Sequence, residues 1–520
     1  MKNKITRLIC LVLACMFSLF AFAGCVDDND NDEVKKITGT GEDRFAGTDF
    51  KGKKITIAVS TAQDADRIGA SAQKYMTGFN DDGSENTTDY IVQEVKKRND
   101  FVKTKLNLNV EYYYMSETYD TLPSVIETKY NAHDGFADAI SNQTNALVPC
   151  MMKGFFRNVN DKTNVTNYFD FSDGNWYDDA MSALSFGQEM DGKMFLLASD
   201  YFIDIIRCIN IMYVNEDLIK SVTDYEPEQF YGLITDKLWT YDQFYSFVER
   251  GYDDTNGSIE GPDADDNFGY VYAKENNLLS VSCSMVATYS ADVDYIKSAN
   301  GTLSYDTTNT VSTLMTLSDK ISSVLKLKGA YANGDEKGDR VADVTTVRTI
   351  FAKNKTLFCS GLKLYDMENQ MLSSINMTPI PLPLLSDTDE YRTMVHDNAS
   401  IGAIFKTGDF EKVSAFWQYC TIKSEPTRLS YYENGLGIKY GSNANTTEML
   451  DIIYDNMIVS QSYAIESYLY NKNGEATPIH SLLWGASKSG SGSINSSWQA
   501  VESIKKNALA TAISDYNNIQ

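Results

Sequence analysis

Three short elements could carry serine-nucleophile chemistry. Ser360-Gly-Leu-Lys363, Ser374-Ile-Asn376 and Lys406-Thr-Gly408 follow the order of a Ser-x-x-Lys, Ser-x-Asn and Lys-Thr-Gly set. All three fall in one short stretch, whereas an enzyme of that kind needs far more chain between them, so this reading is set aside. The sequence has 3 histidines, His133, His396 and His480, widely separated. A Ser-His-Asp triad or a histidine zinc site would need them brought together by folding alone. There is no His-Glu-x-x-His and no Gly-x-Ser-x-Gly. With 71 acidic residues, any pair of carboxylates is uninformative about glycoside hydrolysis. The acidic run Asp253 to Asp266 lacks the EF-hand spacing of a calcium loop. The chain reads as a binding protein rather than an enzyme, with no metal and no cofactor.

The residues that suit binding are hydrogen-bonding side chains on loops. Asp64 and Arg67 lie in Thr61 to Arg67, and Asn142 and Gln143 in Ser141 to Asn145. Tyr201, Asp397 and Asn398 join them. Aspartates accept, arginine donates, and amides do both, which is the set that hydroxyl groups of a small polar solute require. Trp176 and Trp484 are candidate stacking platforms for sugar rings, whereas Trp239 and Trp417 sit in helical patterns and are assigned to packing.

The elements that must position these groups alternate. Lys54 to Ser60 reads as a strand. Thr88 to Lys105 reads as a helix with Ile91, Val95 and Val102 near one face. A second strand begins at Leu106 to Val110, a second helix is expected over Ser116 to His133 with Ser116 as its cap, and a third strand at Phe136 to Ile140. Strands separated by helices give βαβ units and a parallel sheet, and ligands of such sheets sit beyond the carboxyl ends of strands. Farther on, Asn215 caps a helix with two acids in its first turn. Thr240 and Gln243 fit a capping box.

The N-terminus is of another kind. Lys2, Lys4 and Arg7 precede an apolar run from Leu8 to Ala23, then Gly24-Cys25, the layout of a secretory signal. The run is shorter than the ~18 to 20 residues a spanning helix needs. Phe22-Ala23-Gly24-Cys25 resembles the lipobox of bacterial lipoproteins, which implies lipid on Cys25 and a body held at the outer face of a membrane by more than one acyl chain. Residues 26 to 48 read as an acidic, flexible tether. A formal net charge of −25 excludes a nucleic-acid partner, since phosphate binding needs a surplus of Lys and Arg. Of 8 cysteines, Cys150, Cys208, Cys283, Cys359 and Cys420 remain beyond Cys25, with no C-x-x-C spacing. Buried thiols are expected, with one disulfide left open.

From about residue 54 to 435 the chain resembles the extracellular solute-binding proteins of ABC importers, family 1, the group with the sugar-binding lipoproteins. Tyr213-Val-Asn215-Glu-Asp-Leu218 is similar to the family's tyrosine–asparagine–lysine–aspartate–leucine segment. Trp239-Thr-Tyr-Asp-Gln-Phe244 is similar to its threonine–tryptophan–aspartate–glutamate–phenylalanine helix start. Phe351 to Gly361 resembles its helix-to-strand element, and Met377 to Pro383 its alanine–proline–leucine–proline strand. Ile401 to Phe405 and Glu411 to Cys420 resemble its late strand and following helix. Val395 to Ser400 stands where the family has a glycine pair, 76–88 and 253–267 read as insertions, and the tail beyond about residue 440 matches poorly.

The resemblance implies an α/β, two-lobe periplasmic-binding-protein-like fold, with crossings near residues 207, 394 and 436. The expected organisation is a signal at 1–24 and a tether at 25–48. One lobe takes 49–207 plus 395–436, the other 208–394 plus 437–520. The expected partners are a small polar solute, with carbohydrate favoured by the family, the permease subunits of an ABC transporter, and the membrane through Cys25. The body is expected to be monomeric and extracellular. A surface glycan-binding or sensing lipoprotein that feeds no importer is the alternative.

Overall fold

The computed structural model describes residues 36–519, apart from 61–72, 333–341 and short stretches at 81, 118–119, 164, 174, 258–261, 276–277, 300–301, 306–307, 441–443 and 474–477. Asp64, Arg67, Cys25 and the signal segment lie outside the described residues.

The first lobe grows from alternating strands and helices: β1 (Lys54–Ser60), α1 (Tyr90–Leu106), β2 (Asn109–Met115), α2 (Leu122–Ala132), β3 (Ala139–Gln143), α3 (Thr144–Met152), α4 (Asp178–Leu184) and β4 (Leu196–Leu197). Helix α1 forms where Ile91, Val92, Val95 and Val102 share a buried face. It is capped by Asp89, whose carboxylate accepts from the Ile91 and Val92 amides. It stops at Asn107, which takes the left-handed conformation at φ 47°. Helix α2 begins several residues later than Ser116, because Pro123 sits in its first turn, where a missing N–H costs nothing. Strand β3 likewise lies three residues beyond the expected Phe136 start.

The chain then enters a second sheet with β5 (Asn210–Asn215), β6 (Phe268–Val271), α5 (Val281–Ser290), α6 (Thr308–Leu325), β7 (Ala330–Tyr331), β8 (Thr356–Lys363) and β9 (Met377–Ile380). It returns to the first with β10 (Ser400–Ile404), followed by α7 (Phe410–Ile422). The first sheet has the order β2-β1-β3-β10-β4 and the second β7-β6-β8-β5-β9. In the first, β1 is parallel to β2 and β3, while β10 runs antiparallel to β3 with Asn142 opposite Ile401 and Gln143 opposite Ser400. In the second, β8 is parallel to β6 and antiparallel to β5, with Lys363 opposite Asn210.

Each sheet is covered by its helices. Trp417 of α7 packs edge-on to Phe202 at 5.4 Å in the first lobe. Gly402 lies so close to the Phe202 ring that a Cβ there would sit 2.3 Å from it. In the second lobe Trp239 is surrounded by Phe230, Phe244, Phe247 and Phe358. Both tryptophans are packing residues. The Asn215 side chain accepts from the Asp217 amide and Thr240 from the Gln243 amide, one half of the expected capping box, while the Thr240 amide donates to the Leu238 carbonyl instead. Cys150, Cys208, Cys283, Cys359 and Cys420 are all buried free thiols.

The tail includes the helices α8 (Gln461–Asn473), α9 (His480–Ser489) and α10 (Gly492–Asn518). Glu466 of α8, fully buried, accepts from the Tyr289 and Tyr295 hydroxyls and the Ile479 amide and pairs with Lys505 of α10. Helix α10 does not stay with the second lobe. Its Trp498 meets Tyr295, but its Tyr516 stacks on Phe186 at 4.8 Å, and Lys193 donates to the carbonyls of Asn517 and Ile519. No described helix is long and apolar enough to cross a membrane.

Candidate functional site

The carboxyl ends of β3 and β8 and the amino end of β10 converge where the chain passes between the sheets. The Ile209 backbone pairs with Val395, the His396 amide donates to the Cys208 carbonyl, and the Leu364 amide to the Ile209 carbonyl. The turn from β3 into α3 is tied to the same segment: Thr144 N–H donates to Ala399 and Asn145 N–H to Asp397. Asn142 and Gln143 therefore form one polar floor with Asp397 and Asn398, 255 residues later in the sequence.

Several atoms of that floor have no protein partner among the described residues. They are the Nδ2 of Asn142, Oδ1 of Asn145, Oδ1 of Asn398 and the hydroxyl of Ser141, all shielded from solvent. A buried polar group left unpaired costs ~1 to 3 kcal/mol, and such groups are few in native proteins. Their clustering at the strand ends is the geometry by which a polar solute would be selected, since a solute lacking hydroxyls would leave them unpaired.

The electrostatics of the floor are set by four groups. Lys363, His396 and Asp397 are each only partly exposed at the junction of the sheets. Burial lowers the proton affinity of Lys363 below that of an ordinary lysine. Burial, then the Lys363 charge, holds His396 below the usual histidine range. The Asn398 amide donates to its Nδ1 at 3.2 Å, and the same nitrogen lies 2.9 Å from the Asp397 carboxylate. Burial pushes the Asp397 carboxyl up, but the His396 ring, the Tyr463 hydroxyl at 2.8 Å and Lys363 outweigh this and hold it below the carboxylate norm.

Beside the floor lies a denser charge cluster joining the lobes. Arg207 reaches Asp204 at 2.7 Å and Glu368 at 3.0 and 3.1 Å. Glu368 also accepts from Tyr431 at 2.8 Å and from Tyr75 of the first lobe at 3.4 Å. Burial opposes the Arg207 charge, but Glu368 and Asp204 raise its proton affinity above the ordinary.

The remaining sequence candidates fall elsewhere. Trp176 is 5% exposed, edge-on to Phe169 and Phe171, with its indole N–H donating to Gln418 at 3.1 Å, so it is a core position of the first lobe. Tyr201 is fully buried beneath the Arg98 guanidinium, 4.6 Å from its ring, and is likewise core. Trp484 lies on α9, partly exposed, its Nε1 buried without a partner among the described residues. Lys363, Asn145, His396 and Tyr463 were not among the expected binding residues. Lys363 had stood inside the serine-nucleophile pattern. It lies on a strand, whereas Ser-x-x-Lys needs a helix to bring i and i+3 to one face, and the Ser360 hydroxyl bonds to Tyr270 instead. Among the described residues no group of His, Cys, Asp and Glu is placed to hold a metal ion.

Two five-stranded sheets, joined by returning segments and meeting across a polar recess, are also the architecture of solved binding proteins. A cyclo/maltodextrin-binding protein complexed with maltotetraose matches 89% of this chain and 96% of its own, at 12% identity and a TM-score of 0.50. The chain has the two-lobe solute-binding-protein fold. A family 1 extracellular solute-binding protein from Bifidobacterium longum subsp. infantis matches 87% of this chain and all (100%) of its own, at 12% identity and a TM-score of 0.48. An ABC transporter solute-binding protein from Agrobacterium radiobacter K84, in complex with ribitol, matches 91% and 100%, at 10% identity and a TM-score of 0.45. No protein-family model matches the sequence, and no curated protein does.

Proposed function

We propose that this protein captures a small polyhydroxylated solute, a carbohydrate, between its two lobes and delivers it to the permease of an ABC importer. The observation that carries the reading is the set of unpartnered amide and hydroxyl atoms on Ser141, Asn142, Asn145 and Asn398 at the junction of the sheets, in a fold also seen in a protein solved with maltotetraose. The lobes of the proposal are 49–207 plus 395–436 and 208–394 plus 437–520, which accords with the strand membership of the two sheets. The end of α10 leans on the first lobe as well. Asp64, Arg67 and Trp484 complete the binding set of this proposal, and lipid on Cys25 holds the body at the outer face of the membrane.

A closing cleft of this kind responds strongly to its solute. A shift from 1:99 to 99:1 in favour of the closed form takes ~5.5 kcal/mol of differential affinity, which many simultaneous hydrogen bonds from both lobes can supply. The test is a thermal-shift screen against mono- and oligosaccharides and polyols. A solute at a hundred times its dissociation constant stabilises by ~2.7 kcal/mol, so a clear upward shift with one sugar class supports the reading. No response to any of them overturns it. Loss of uptake of that sugar in cells lacking the protein separates delivery to an importer from a sensing role. Release of the protein from membranes by Cys25→Ala tests the anchor.

A further inference from the structure

Among the described residues, the buried arginines and lysines are held by carboxylates or by hydrogen bonds. Arg207 is held by Asp204 and Glu368, Arg348 by Asp366, Arg428 by Asp200 and Lys505 by Glu466. Arg98 lacks a carboxylate, but its nitrogens reach the Asn99 amide oxygen, the Ser424 hydroxyl and the Met76 carbonyl. The Lys363 ammonium makes no hydrogen bond or ion pair among the described residues, and the ring nearest to it is that of Tyr365, centred 5.6 Å away.

The acids around Lys363 are committed elsewhere. Asp366 pairs with Arg348 at 2.5 Å and accepts from the Lys363 backbone amide at 2.7 Å. Asp397 lies against His396 and accepts from Tyr463. The other titratable groups facing Lys363 are His396, Arg348, which repels it, and Cys208, whose thiol burial keeps protonated. Lys363 ends the central strand of the second sheet, beside the His396–Asn398 segment of the polar floor. An enclosed charge without a counter-ion is expensive. A solute that brings an anionic group to this point removes the cost, and a neutral one does not.

We infer that Lys363 is a specificity-determining residue that selects a solute bearing a carboxylate, a uronic acid or an oligomer containing one, over neutral sugars. The inference rests on the proposed capture of a carbohydrate at the same floor. The amides of Asn142, Asn145 and Asn398 would bond the hydroxyls and Lys363 the carboxylate, two requirements that only an acidic sugar meets together. The formal net charge of −25 does not oppose this at contact, because exposed charges beyond about 8 Å are screened at physiological salt.

The test is isothermal titration calorimetry of the full soluble body with galacturonic acid, trigalacturonic acid, glucuronic acid and their neutral counterparts galactose, maltotriose and glucose. The expected result is at least tenfold tighter binding of an acidic sugar than of its counterpart. Lys363→Met should erase that preference and Lys363→Arg retain part of it. Equal binding of neutral and acidic sugars by the parent protein overturns the inference and leaves the capture of carbohydrate standing. Binding of no sugar at all overturns both. The parent protein's own preference is decisive even where a variant fails to fold.

Discussion

Arg207 grips Glu368 with two guanidinium nitrogens, at 3.0 and 3.1 Å, and so fastens the segment leaving the first sheet to the second lobe. Arg207 is 1% exposed and Asp204 is its other carboxylate. Removing one partner of a buried pair strands the other charge and typically costs ~3 to 5 kcal/mol. Glu368→Ala is expected near the lower bound, because Asp204 still holds Arg207. The double variant Arg207→Met, Glu368→Met should be less destabilised than Glu368→Ala. Denaturant unfolding of the three proteins checks this, and a double variant weaker than the single would contradict it.

His480 gives the stability a pH dependence of definite sign. Burial, outweighing Glu466 and assisted by Lys505, pulls its pKa from 6.5 to about 4 in the folded protein. A base whose folded pKa is depressed contributes stability that is complete above the unfolded pKa and is lost as pH falls toward the folded one. The window is therefore pH 6.5 down to about 4. The slope one such site can add is at most ~1.4 kcal/mol per pH unit. Melting temperature should fall across that window, and His480→Gln should flatten the fall.

The two candidate tryptophans should separate. Trp176→Ala removes a core indole and is expected to cost ~3 to 5 kcal/mol in stability, with little change in the affinity of the folded remainder. Trp484→Ala should cost little stability and weaken sugar binding, if its unpartnered indole N–H faces the solute. Melting curves together with calorimetry on both variants decide between these roles.

Tyr516 anchors the far end of α10 on the first lobe, stacked on Phe186 and donating its hydroxyl to the Lys193 carbonyl. Tyr516→Ala should lose ~3 kcal/mol by the large-to-small rule for buried aromatics. Faster hydrogen exchange of the last helical turns should accompany the loss. Unchanged exchange there would show that the rest of α10 holds the end in place.

Much of the frame was legible in the residues. The valines and isoleucines of β1 and α1, the Asn215 and Thr240 caps, and the run from Phe351 to Gly361 carry local periodicities that burial merely completes. Asn142 and Asn398 could be suspected of binding because each adjoins a strand end, but only the antiparallel pairing of β3 with β10 brings their two segments together. Trp176 looked like a platform and Tyr201 like a hydrogen-bonding partner because type alone does not place a ring in a core; their contacts with Gln418 and Arg98, distant in the chain, do. Lys363 was hidden by its neighbours: in sequence it completes Ser-x-x-Lys, and its lack of a counter-ion among the described residues exists only in three dimensions. Tyr463 lies in a tail with no resemblance to guide it.

The central claim is that a solute is held by the floor between the sheets. Its most direct measurement is calorimetry with the sugar identified by thermal shift, on the parent protein and on Asn142→Ala combined with Asn398→Ala. Each amide lost from a site built to bond hydroxyls should cost ~1 kcal/mol or more, so the double variant should bind at least tenfold more weakly at an unchanged melting temperature. An unaltered dissociation constant in the folded double variant would contradict the account.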